Sequence, residues 1–261
     1  MTTEYKALLI QVTAGVALVK LNNPENLNAL STDIKADLTC FLTEARTDEN
    51  IRAVVLTGEG RAFCAGGDLK GQPAASAAEG RTRIKKLHEL VKLIRDLEKP
   101  VIAAVNGFAV GAGMNLALAC DIIIAAEDAK FSEIFTNVAL IPDAGGLYFL
   151  PQMVGPMRAK ELCFTARRIG AVEAERMGLV NKIVPAGELV SEALDMATLV
   201  AKGPAISIAY IKRLLNKSSE WDLDTLLEAE SFAQGICMKT EDAQEGVLAF
   251  KEKRSPTFRG K

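Results

Sequence analysis

The spacing of apolar residues changes from place to place along this chain, and each spacing predicts an element. Residues 7–12 and 16–21 are β-branched-rich runs around Thr13, Ala14 and Gly15, which predicts a hairpin. A polar loop containing Pro24 comes next, over 22–28. Ser31 stands at a helix N-cap position, and Ile34, Leu38, Phe41 and Leu42 recur behind it at helical spacing. Residues 52–57 form an apolar strand that runs into a glycine-rich loop over 58–67. Ile84, Leu87, Val91, Ile94 and Leu97 predict an amphipathic helix over 82–97, which Pro100 ends before a strand over 101–105. A loop (106–111), a helix (112–119) and another buried strand (121–126) come next. This alternation predicts an α/β fold with a parallel sheet and covering helices. From about Gly155 the pattern turns helical, over 156–165, 171–177, 186–201, 203–216, 221–236 and 240–251. The change of texture near 190 divides the chain into a core over 1–190 and a helical C-terminal region over 191–261. The Ala/Gly-rich piece from Gly71 to Gly80 has few apolar anchors and reads as the most mobile loop, either a linker or a ligand-responsive flap.

Composition narrows the chemistry. The chain has 261 residues, 49% of them apolar and 25% charged, with 31 Lys+Arg against 33 Asp+Glu. A net charge of −2 with interspersed signs leaves no electrostatic footprint for nucleic acid. The single histidine makes a multi-histidine zinc site impossible within one chain, and no metal is expected. Five cysteines, an odd number with no CxxC spacing, read as reduced and mostly buried thiols of a cytoplasmic protein. The N-terminus shows no secretory pattern. Val101 to Ala119 is long enough to suggest a membrane span, but Asn106 and Asn115 interrupt it and Asp121 follows directly. A buried strand followed by a buried helix explains it better, so no membrane is expected.

Two loops join glycines to a following helix or turn: FCAGGDL (63–69) and NGFAVGAGMN (106–115). Neither contains the GK[ST] of a P-loop nor the GxGxxG of a dinucleotide site. Each offers close backbone approach and unpaired N–H groups beyond a buried strand end, where parallel sheets place ligands. Two such N–H groups converging from different loops make an oxyanion hole.

FCAGGDL, KPVIAAVNGFAVGAGMNLALACDIIIAAEDAKF (99–131), LIPDAGGLYFLP (140–151), ARRIGAVEAERMGLVNKIVP and the ending EGVLAFKEKRSPTFRGK occur in that order over almost the whole chain. The series resembles the crotonase, or enoyl-CoA hydratase/isomerase, superfamily. The resemblance implies an α/β crotonase-like spiral of ββα units with C-terminal helices that build trimers, often paired into hexamers. It implies an acyl-CoA thioester substrate, with coenzyme A part of the substrate rather than a separate cofactor. The oxyanion-hole amides fall on Gly67 and Ala112, which would hold the thioester oxygen as it becomes an enolate. The CoA adenine would lie along the first loop, at Ala65, Gly66, Asp68 and Leu69, with Ala29 and Leu30 nearby. Cations for the CoA phosphates are not singled out, the Lys251–Arg254 cluster being a weak candidate.

The departures from the family pattern carry the functional expectation. The two glutamates of the family's hydratases fall on Asn115 and Phe135, so both carboxylates are missing there. Glu133 lies two residues from the second position and reads as a polar structural residue. Asp143 stands in IPDAGG where hydratases typically have glycine. It is either a helix N-cap or the catalytic carboxylate that the resemblance to ring-epoxide isomerases of phenylacetate catabolism and to enoyl-CoA isomerases implies. As a single carboxylate in an apolar pocket of Phe108, Phe135 and Leu140, it would have a raised pKa suited to removing and returning a proton. The expectation is therefore an acyl-CoA isomerase of lipid or phenylacetate metabolism, moving a double bond or rearranging a ring epoxide, with Asn115 hydrogen-bonding substrate or Asp143. Three other readings stay open: a hydratase with a non-standard site, a dehalogenase with nucleophilic Asp143 and His88 as base, and a catalytically silent partner subunit.

Overall fold

The computed structural model describes residues 4–68 and 76–261. The expected hairpin forms: β1 (Leu8–Thr13) and β2 (Val16–Leu21) pair antiparallel from Leu8 with Leu21 to Thr13 with Val16. Helix α1 (Thr32–Ala45) is next, its N-cap Ser31 accepting from the Ile34 N–H as the sequence predicts. From there the chain repeats one unit three times. These are β3 (Ala53–Gly58), β4 (Ala62–Cys64) and α2 (Ala77–Asp96), then β5 (Val101–Val105), β6 (Phe108–Val110) and α3 (Ala112–Leu118), then β7 (Ile122–Ala126), β8 (Lys130–Ser132) and α4 (Gly146–Val154). In each unit the first strand joins a six-stranded sheet, ordered β1-β2-β3-β5-β7-β10, and the second joins a smaller sheet, ordered β4-β6-β8-β9. Each turn of the spiral thus adds one strand to both sheets. The remaining elements are α5 (Pro156–Thr165), β9 (Ile169–Gly170), α6 (Ala171–Met177), β10 (Lys182–Val184), α7 (Leu189–Ala201), α8 (Ala205–Leu215), α9 (Leu223–Cys237) and α10 (Glu241–Glu252).

The central strands of the large sheet are buried on both faces, which is why β3, β5 and β7 read as apolar runs. Alternate residues diverge as the pleat requires. Val54, Leu56, Ala103, Val105, Ile123 and Ala125 enter the main core with the side chains of α1 and α2. Val55, Ile102, Ala104 and Ile124 face α7, which meets them with Leu189, Ala193, Ala197 and Ala201. The alanines recur every four residues on one helix face and let α7 lie close against the strands.

Several expectations need correcting. The glycine-rich loops over 58–67 and 106–111 contain the short strands β4 and β6, and β8, β9 and β10 are further strands the pattern did not reveal. Helix α2 starts earlier than 82: Ser76 caps it by accepting from the Glu79 N–H at 3.2 Å. Residues 77–80 of the expected mobile loop are therefore the first turn of α2, while 71–75 lie outside the described residues. Val101 to Ala119 is strand, strand and helix, and among the described residues no single helix is long and apolar enough to cross a membrane. Cys64, Cys120 and Cys163 are buried as expected, whereas Cys40 is exposed on α1 and Cys237 is half-buried; none is in a disulfide.

Candidate active site

Strands β4, β6 and β8 run parallel side by side, so their C-terminal ends lie in one row. The segments leaving these ends face one another: Ala65 to Gly67 after β4, Gly111 and Ala112 after β6, Glu133 after β8. Parallel α/β sheets place ligands at strand ends of this kind.

The first two ends are pressed together backbone to backbone. Gly66 has φ +95°, and a Cβ there would sit 2.6 Å from the Val110 carbonyl oxygen and 3.4 Å from the Ala112 nitrogen. Only glycine satisfies both constraints. Beyond it Gly67 is exposed, with open space where a side chain would stand. Ala112 is the first residue of α3, so its N–H has no partner within the helix. Among the described residues neither the Gly67 N–H nor the Ala112 N–H donates to any protein acceptor. The structure thus brings together the two amides that the sequence singled out, each with its donor free.

The expected adenine-binding residues meet by the same pairing. The Leu30 N–H donates to the Gly66 carbonyl at 2.8 Å, and the Ala65 N–H donates to the Leu27 carbonyl at 2.9 Å. Buried Asn28 anchors this turn, donating through Nδ2 to the carbonyls of Glu59 (2.9 Å) and Ala62 (2.7 Å). Ala29, Ala65 and Gly66 are therefore neighbours and Asp68 is exposed beside them, while Leu69 lies outside the described residues. Arg254, in the weaker phosphate candidate, is committed to Glu245 and Glu252.

Asp143 is not a helix cap. Helix α4 begins at Gly146 with Gly145 as its N-cap, and no side chain bonds to that end. The Asp143 side chain is partly buried, and among the described residues its Oδ1 has no hydrogen-bond partner. Its main-chain carbonyl is held from below, accepting from Asn115 Nδ2 at 2.9 Å. Asn115 is fully buried on α3, and a Cβ on Gly146 would come within 2.3 Å of its amide, so the asparagine is wedged where it stands. The expectation that Asn115 bonds near Asp143 holds at the backbone rather than at the carboxylate.

Asp143 is also not the single carboxylate of the site. Glu133, read from the sequence as a structural polar residue, is 1% exposed and accepts from the same Asn115 Nδ2 at 3.4 Å through Oε2. It comes directly after strand β8 and precedes a 3-10 turn over Ile134–Val138, so the strand aims it into the site. Register places it there: Val110 pairs with Ser132, which sets Glu133 opposite Gly111, next to Ala112. Burial pushes the Glu133 carboxyl up to about 8, with the Asn115 bond pulling it down and the charge of Asp143 pushing it further up. Burial likewise raises Asp143 to about 6, against the pull of its own N–H and of Lys35 on α1. Asn115 Oδ1, Glu133 Oε1 and Asp143 Oδ1 are three buried acceptors in one place without partners among the described residues.

The expected apolar surround is partly present. Phe135 is buried, its ring 3.6 Å from where a Gly111 Cβ would be, whereas Leu140 is 55% exposed. A cleft of about 750 Å³ opens on Gly145, lined also by Val91, Arg95, Tyr148 and Phe149. His88, exposed on α2, lines this cleft, and among the described residues no hydrogen bond or ion pair joins it to Asp143.

Known proteins resemble this chain over nearly its whole length. The enoyl-CoA hydratase/isomerase family model matches residues 11–261. A probable enoyl-CoA hydratase of Rhodobacter capsulatus is 41% identical over 258 residues, covering 98% of this chain and 99% of the relative. The 1,2-epoxyphenylacetyl-CoA isomerase of Escherichia coli is 38% identical over 258 residues, covering 97% and 98%. The crystal structure of an enoyl-CoA hydratase from Bacillus anthracis superposes with a TM-score of 0.94 at 38% identity, covering 98% of this chain and all of that one. The spiral of ββα units and the free amides after β4 and β6 thus stand in a chain that belongs to the enoyl-CoA hydratase/isomerase family and has the crotonase fold.

Proposed function

We propose that the protein is an acyl-CoA isomerase in which Asp143 moves a proton along the acyl chain. The observation that carries this reading is the partly buried Asp143 carboxyl, its Oδ1 unpartnered, in a site whose two free amides, Gly67 and Ala112, are set to hold an enolate oxygen. The carboxylate removes a proton activated by the thioester, the amides stabilise the charge that appears on oxygen, and the proton returns at another carbon. A carboxyl lifted to about 6 suits the work, since it is ionised at neutral pH yet a stronger base than an ordinary aspartate. The position of the hydratases' first glutamate holds Asn115, which has no proton to move. We assign the acyl tail to the cleft that opens on Gly145, and the CoA moiety to Ala29, Ala65, Gly66 and Asp68. Rearrangement of a ring epoxide would use the same carboxylate, as the similarity to the E. coli epoxide isomerase suggests. Hydration is the second reading, because Glu133 supplies a second carboxyl group beside Asp143. We also propose that the chain assembles with copies of itself; Leu215, Phe232 and Phe250, exposed on the C-terminal helices, support that.

The test is conversion of a 3-enoyl-CoA to its conjugated 2-enoyl isomer, followed by absorbance, with hydration of crotonyl-CoA measured on the same preparation. The native protein isomerises, and Asp143→Asn loses at least ~10²-fold in kcat. An active native enzyme with an unimpaired Asp143→Asn variant overturns the assignment of the base. Hydration without isomerisation selects the second reading.

A further inference from the structure

We propose that Glu133 is a positioning residue: acting through Asn115 and in its neutral form, it fixes the turn that carries Asp143 and leaves Asp143 the one anion of that pair of carboxyl groups. The proposal rests on the reading of Asp143 as the proton-moving group. Asn115 is the link, because its single amide nitrogen serves both partners, the Asp143 carbonyl at 2.9 Å and Glu133 Oε2 at 3.4 Å. Gly146 packs over the amide, and the two acceptors set which way it is turned. Glu133 and Asn115 therefore orient one another, and the Asp143 peptide hangs from the pair.

The surroundings of Glu133 select its neutral form. The groups that face it are Asn115 from α3, Asp143 from the segment before α4 and the Cys163 thiol from α5. Burial, then the proximity of Glu133, pushes that thiol up to about 11. Among the described residues no cationic side chain pairs with Glu133. One long amide bond is too little for a buried carboxylate, whose Oε1 has no donor at all. As an acid, Glu133 instead brings a donor hydrogen to a group of atoms rich in acceptors. Asp143 gives up its proton first, so the repulsion between the two falls on Glu133, which titrates later. Carboxyl groups driven apart in this way take unlike roles. A charged Glu133 would set a second negative charge beside an enolate that is itself forming a negative charge, and would slow the step.

Full-length Glu133→Gln and Glu133→Ala test this. Kinetics on the 3-enoyl-CoA are measured across pH 5–10, and the Asp143 carboxyl is followed by carbon NMR in protein labelled at aspartate, assigned by its loss in Asp143→Asn. Native kcat falls as pH rises through about 8, where Glu133 ionises. Glutamine keeps kcat within ~3-fold at pH 7 and abolishes that alkaline fall, whereas alanine, which frees the Asn115–Asp143 link, loses ~10²-fold in kcat with KM little changed. The native Asp143 resonance shows a second inflection near 8 that glutamine removes. The proposal is overturned if glutamine is as damaging as alanine, if the alkaline limb persists in it, or if the Asp143 titration is the same in both proteins. The NMR comparison needs neither turnover nor a folded alanine variant, so it decides the matter even if the isomerase reading itself fails.

Discussion

Two buried polar clusters in this molecule are built on opposite rules. At the junction of α8 with the large sheet, the Lys212 ammonium donates to Asp121 Oδ2 at 2.7 Å and to the carbonyls of Ile94 and Lys99 at 3.0 and 3.1 Å. The same Asp121 oxygen accepts from the Val101 N–H, so all three donor hydrogens of the lysine and its counter-charge are used. At the ends of β4, β6 and β8, Asn115, Glu133 and Asp143 leave three oxygens without partners. The first cluster ties the start of β5 and the end of α2 to the C-terminal region, and its satisfaction is what makes it structural. On the function proposed above, the second is unsatisfied because its atoms are kept for a ligand, and the fold carries that cost for the sake of chemistry.

The contrast breaks most visibly at Lys212. Replacing it with alanine strands two carbonyls and an aspartate whose side chain is only 21% exposed, which should cost on the order of 4 kcal/mol. Denaturant unfolding measures the loss. The activity of the molecules still folded should be unchanged, since Lys212 bonds only within its own cluster. A variant that keeps full stability would mean that this cluster too is a reserve rather than a tie.

Glu133→Gln should act in the opposite direction. A carboxyl raised from 4.5 to about 8 binds its proton more tightly in the folded protein than in the unfolded chain. Its contribution is therefore full below 4.5 and is lost as pH rises toward 8. At ~1.4 kcal/mol per unit, the native protein has given up on the order of 3 kcal/mol at pH 7 that glutamine does not lose. Thermal melts at pH 4.5 and pH 7 test this: the variant should gain on native at the higher pH and match it at the lower. An equal gap at both values would show that Glu133 carries no ionisation penalty and that the second cluster is not held unsatisfied.

The same contrast explains what could be read from the sequence. The large sheet was legible because strands buried on both faces write long apolar runs, and the C-terminal helices because their apolar spacing persists over ten or more residues. β4, β6, β8 and β9 have two or three residues each, too few to establish a period, so the first two read as loops and the last two carry no signal. Gly67, Ala112 and Asp143 were legible only through family resemblance, since a glycine loop and an aspartate after proline have ordinary local readings. Glu133 escaped because its place depends on β8 pairing in register with β6, which no local pattern announces. The N-cap alternative for Asp143 failed because Ala144 and Gly145 take positive φ values and delay the helix to Gly146.

His88→Gln carries the smallest expected effect and tests whether α2 supplies the base. With Asp143 as base, the rate falls as pH drops through about 6, because only the carboxylate can accept a proton. His88 is exposed on α2 and has no bond to the cluster, so the glutamine variant should change kcat by no more than ~2-fold and stability by no more than ~0.5 kcal/mol. The limb near 6 should stay where it was. Loss of that limb in His88→Gln would hand the base to α2, turn Asp143 into a candidate nucleophile and favour hydrolytic chemistry on an aryl thioester.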